Sequence, residues 1–119
     1  MARAKVLLGV ITAFFVVTCL FSASVTFAVT TAQQLIQQYT AEIQRNPNNV
    51  DAYFHRGCYY SSLKQYERAI QDFDKAIQLS PNNAGYYSTR GLSYYRLKQY
   101  QRAIQDFNKS LEINPNNYI

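Results

Sequence analysis

Apolar residues recur at helical spacing in five stretches of this 119-residue chain. In 32–45 they are Leu35, Ile36, Tyr39 and Ile43, which share one helix face, while Gln33, Gln34, Gln37, Gln38 and Gln44 form the polar side. Tyr53, Gly57 and Tyr60 stripe a second helix over 51–63. Ala69, Ile70, Phe73, Ala76 and Ile77 stripe a third over 66–79. The pattern then restarts, with a fourth helix over 85–97 and a fifth over 100–113, striped by Ala103, Ile104, Phe107, Ser110 and Leu111. Lys64-Gln65 and Lys98-Gln99 make the tight turns inside each pair. Asn46-Pro47-Asn48-Asn49, Ser80-Pro81-Asn82-Asn83 and Asn114-Pro115-Asn116-Asn117 end the pairs: proline lacks the N–H a helix needs, and asparagine accepts turn geometry. The predicted fold class is all-α.

Laid over one another, 50–83 and 84–117 agree at 18 of 34 positions. A fixed period of this kind marks a stack of identical helix-turn-helix units. Residues 32–49 are then a half repeat, a single helix plus its Pro-Asn turn. Glycine inside a helix costs about 1 kcal/mol relative to alanine, so Gly57 and Gly91 need a packing reason. The expectation is that they let the partner helix approach closely, with Ala69 and Ala103 opposite. Ala76 and Ser110 are expected where one unit meets the next, with Tyr60, Tyr94, Phe73 and Phe107 filling wider gaps.

The first 31 residues follow another rule. Arg3 and Lys5 form a basic start, Val6–Phe21 is uncharged, and small and hydroxyl residues collect from Ser22 to Ala28. This order resembles a secretory signal peptide cut after Ala28. The competing reading is an uncleaved membrane anchor, since 6–29 is about as long as the ~20 residues that span a bilayer. Arg3 and Lys5 would then stay on the cytoplasmic side. In either case 1–28 is a separate segment, and the repeats are expected to be exported (periplasm, lumen or extracellular space) or held at the non-cytoplasmic face.

Charge and cysteine change little. A processed chain keeps ten Lys/Arg against seven Asp/Glu and a single cysteine, Cys58, too few for an internal disulfide. There is no block of like charges of the kind that binds nucleic acid.

The repeated residues carry a resemblance. Tyr53-x-x-Arg56-Gly57-x-x-Tyr60 with Ala69-x-x-x-Phe73, Ala76 and Pro81 recurs as Tyr87-x-x-Arg90-Gly91-x-x-Tyr94 with Ala103-x-x-x-Phe107, Ser110 and Pro115. This set resembles the tetratricopeptide repeat, over 50–83 and 84–117 in full and over 32–49 in half. Tyrosine stands where the family usually has tryptophan, and Arg56 and Arg90 replace an apolar residue, their long stems expected to pack. The resemblance implies a short α-solenoid of about two and a half repeats, a superhelix of antiparallel helix pairs, preceded by the hydrophobic N-terminal helix. It also implies an adaptor that binds a peptide or helix of a partner protein on a concave face lined by the first helix of each unit. That lining would be Asp51, Phe54, His55, Cys58, Ser61 and Ser62, then Ser88, Thr89, Leu92, Tyr95 and Arg96. Some members grip a chaperone's terminal carboxylate with Lys and Asn. Here those places hold Phe54, Cys58, Ser88 and Leu92, so an apolar and aromatic groove edged by Arg96 is expected instead, suited to an extended or helical segment.

Other chemistry finds little support. His55 and Cys58 fall short of the three or four ligands of a metal site. Asp72 and Asp74 lie on different sides of a helix and read as solvated charges. There is no glycine-rich phosphate loop and no Ser/His/Asp set. No enzyme activity, cofactor or metal is expected. The eleven tyrosines could stack on bases. Most fall on the packing stripe, with Tyr59, Tyr86, Tyr95 and Tyr118 outside it, so an RNA-binding helical repeat ranks last and no nucleic-acid partner is expected. Asn108-Lys109-Ser110 is a glycosylation triplet in form only, because it lies inside a helix. Repeat arrays usually need about three units with polar caps. The stripe of the fifth helix, including Ser110 and Leu111, is therefore expected to be covered by self-association, by a partner in a larger assembly, or by further chain.

Overall fold

The computed structural model describes residues 30–116. The expectations for segment 1–28 and for Asn117 and Tyr118 fall outside these residues. The described chain is helical over 30–45 (α1), Val50–Ser62 (α2), Tyr66–Leu79 (α3), Ala84–Arg96 (α4) and Tyr100–Ile113 (α5), with no strand among the described residues. α2 and α4 start one residue before the apolar pattern does. The cause is capping: Asn49 Oδ1 accepts the amide of Ala52 at 3.1 Å, and Asn83 Oδ1 that of Gly85 at 2.9 Å. Such caps contribute about 1 kcal/mol each.

The tight turns are made by a residue in the left-handed conformation, Lys64 at φ 59° and Lys98 at φ 60°. The following amides, of Gln65 and Gln99, turn back to the carbonyls of Tyr60 at 2.8 Å and Tyr94 at 2.9 Å. A side chain held at such φ costs on the order of 1 kcal/mol. α2 packs on α3, α3 on α4 and α4 on α5, each running against the one before. The centre is built from Ala52, Ala69, Phe73, Ala76 and Ala103, all essentially closed to water.

The glycines do admit the partner helix closely, as expected, but the groups that press on them are not Ala69 and Ala103. A methyl group at Gly57 would stand 2.6 Å from Phe73 Cε1 and 3.2 Å from Asp72 Cβ; at Gly91 it would stand 2.7 Å from Phe107 Cε1 and 3.2 Å from Asp106 Cβ. The pressing groups are thus a ring and an aspartate stem one turn beyond Ala69 and Ala103. Ser110 also differs from expectation. It is buried inside its own helix pair, where its hydroxyl donates to the Ala84 carbonyl at 2.9 Å, while Ile104 and Leu111, with Tyr100 at the helix start, are the large apolar residues of α5 left exposed.

Candidate partner-binding face

The framework behind the face is a pair of arginines. Arg56 Nε and Nη2 donate to Asp72 at 2.8 and 2.7 Å, and its Nη1 reaches Thr40 Oγ1 on α1 at 3.1 Å. Arg90 repeats this 34 residues on, with Asp106 at 2.8 and 2.7 Å and Asp74 on α3 at 2.6 Å. Each guanidinium also lies over two tyrosines, Tyr53 and Tyr60 at 5.8 and 6.0 Å, Tyr87 and Tyr94 at 5.7 and 5.8 Å. The hydrogen bond to the aspartate pushes both arginines further above their ordinary range. This corrects two expectations. Asp72 is a buried acceptor rather than a solvated charge, as is its counterpart Asp106, and the motif arginines act through their heads as well as their stems. Only Asp74 keeps half its side chain in water.

On this framework α2 and α4 stand side by side, joined where the Phe54 and Tyr86 rings meet at 4.9 Å. Phe54 also touches Phe73 at 5.8 Å and His55 at 5.7 Å, so it is a half-buried joint between the two helices and not a free lining residue. Tyr86, set outside the packing stripe by its spacing, is buried there, and its phenol is pushed up by that burial and by nearby Asp51. Asp51, His55, Ser62, Leu92, Tyr95 and Arg96 are exposed, whereas Cys58, Ser61, Ser88 and Thr89 are half-buried. Ser88 and Thr89 turn their hydroxyls back to the Gly85 carbonyl at 3.0 and 2.8 Å, and Ser62 does the same to Tyr59 at 2.8 Å. Burial pushes the Cys58 thiol up.

Two rings outside the expected lining belong with these residues. Tyr39 of α1 stacks on His55 at 5.4 Å and on Tyr59 at 5.9 Å, both nearly parallel. Tyr39 was assigned to the apolar stripe of its own helix. The 34-residue period could have flagged it, since it occupies the place of Phe73, and a bulkier Tyr59 stands where the second copy has buried Ser93. Among the described residues no three His, Cys, Asp or Glu side chains come together, and no helix is long and apolar enough to cross a membrane.

The tetratricopeptide repeat model matches residues 50–83 and 84–117. The chain belongs to the tetratricopeptide repeat family. Members of this family generally serve as non-enzymatic protein-interaction modules. The first tetratricopeptide repeat domain of Spaghetti (RPAP3), bound to the HSP90 peptide SRMEEVD, superposes with a TM-score of 0.72 at 28% identity, over 77% of this chain and 73% of that one. The Arabidopsis OM64 domain gives 0.67 at 29% identity, over 76% and 77%. MamA gives 0.70 at 28% identity, over 75% of this chain but 52% of its own, so this tetratricopeptide repeat chain spans about half of MamA. No curated protein sequence matches it.

Proposed function

We propose that this tetratricopeptide repeat protein is an adaptor that holds an extended or helical segment of a partner protein against α2 and α4, on the concave side of its repeats. The observation that carries the reading is the apolar surface of α4, where Leu92 and Tyr95 are 40% and 53% exposed. A related domain bound to a peptide of HSP90 supports peptide binding as the mode. The chemistry here favours a different peptide. Phe54, Cys58, Ser88 and Leu92 offer no cation to a terminal carboxylate, so the ligand is apolar or aromatic, with an acidic group for Arg96. The basic, apolar and small-residue order of 1–28 supports export or anchoring of the repeats outside the cytoplasm.

Selection from a displayed random-peptide library tests this. Apolar and aromatic sequences should be enriched, SRMEEVD should bind at least tenfold more weakly, and Leu92→Glu with Tyr95→Glu should abolish capture. A second reading, a subunit that packs into a larger assembly through α5, draws on exposed Ile104 and Leu111 at 52% and 45%. Under that reading Leu111→Glu disrupts association and the two α4 changes leave it intact.

A further inference from the structure

The positive charge of the repeats is gathered on one edge. Arg90 lies between Asp74 and Asp106, so α4 runs against both α3 and α5 in register, and the α4 end with Lys98 comes level with the α3 start. The turns 63–66 and 97–100 therefore share one edge of the stack. Exposed Lys64, Arg68, Arg96, Lys98 and Arg102 lie on it, with Glu67 as the one carboxylate there. Elsewhere among the described residues five cations face six carboxylates: Arg56 and Arg90 are paired with aspartates and Lys109 with Glu112, and Arg45 and Lys75 stand against Glu42 and Asp51. Tyr95 and Tyr100, 53% and 51% exposed, meet at 5.5 Å on the same edge. Arg68 and Arg102 are steadied by Gln65 and Gln99 at 3.1 Å each and lie over Tyr60 and Tyr94 at 5.7 and 5.6 Å.

We propose that this edge docks on an anionic phospholipid membrane. Lysine and arginine near an anionic headgroup layer gain from its negative potential, and tyrosine suits the boundary between headgroups and acyl chains. The start of α1 lies on the same edge, where Gln33, Ile36 and Gln37 share a 220 Å³ cleft with Tyr60, Leu63, Gln65 and Arg68. The chain that leads into α1 is uncharged from Val6 to Ala41. Five cations against one carboxylate, with two exposed tyrosines among them, favour a lipid surface over an acidic protein.

The test uses the full chain with vesicles of phosphatidylcholine alone or with 30% phosphatidylglycerol, at low and high salt. The N-terminal segment is the same in all variants, so the readout is the extra binding that the anionic lipid brings. Lys64→Gln, Lys98→Gln and Arg102→Gln together should reduce that increment by about 10- to 100-fold, and high salt should do the same to the unaltered chain. Arg45→Gln, Lys75→Gln and Lys109→Gln remove as much charge from elsewhere and should change it less than about threefold, with helical circular dichroism retained in both. Equal losses in the two triple variants, or none in the first, overturn the proposal. So does a first triple variant that loses binding to polyglutamate while keeping its vesicle binding, which would assign the edge to an acidic protein.

Discussion

Arg90 and Asp106 meet across α4 and α5 through two parallel hydrogen bonds of 2.8 and 2.7 Å, while the third arm of the same guanidinium holds Asp74 on α3. One side chain thus ties three consecutive helices, and Arg56 does the same with Thr40 and Asp72. Arg90→Ala leaves a carboxylate with 8% exposure and no cation. It should cost about 3 kcal/mol, the low end for a broken buried pair because the arginine itself is 19% exposed. Arg90→Met combined with Asp106→Leu should cost less than half of that, since no charge is stranded. Urea midpoints at constant slope check both.

Gly57 and Gly91 face equivalent rings, Phe73 and Phe107, at nearly the same distance, yet the rings differ in freedom. Phe73 is fully buried, whereas Phe107 is only half-buried and has room to shift. Gly57→Ala should therefore destabilise by about 2 kcal/mol, overpacking outweighing the gain in helix propensity. Gly91→Ala should cost about half as much, measured by thermal or urea unfolding of the two single variants.

Lys64 and Lys98 hold a conformation that glycine adopts freely. Lys64→Gly should raise stability by about 0.5 kcal/mol, the relief of strain being partly offset by the entropy of glycine in the unfolded chain. An unchanged or lower urea midpoint would contradict this account of the turn.

The Cys58 thiol, raised by burial, stays protonated at neutral pH. In a Cys19→Ser background its alkylation by iodoacetamide at pH 7 should be at least about tenfold slower folded than in urea, because the thiolate is the nucleophile. Its raised value also links to stability. The contribution is complete below the ordinary thiol range near pH ~8.5 and is lost as pH rises through the higher folded value. Cys58→Ala should flatten that alkaline fall in measured stability.

The 34-residue period, the proline-asparagine stops and the helical spacing were enough to specify five helices, their pairing and the family, because these are local signals repeated in one chain. The resemblance to the family, rather than the spacing alone, put Leu92, Tyr95 and Arg96 on the lining of a face, and all three are exposed. It did not show that Phe54 would be taken up by Tyr86, or that Tyr39 would reach His55, because both contacts join different helices. Nor did it reveal the arginine clamps. Asp72 looks solvated when only its own helix is considered, and becomes a buried acceptor only when α2 brings Arg56 across. What the chain carries by itself is the period of its side chains; which of them touch, and which charges are left for a partner, depends on distances between helices that only the packed structure sets.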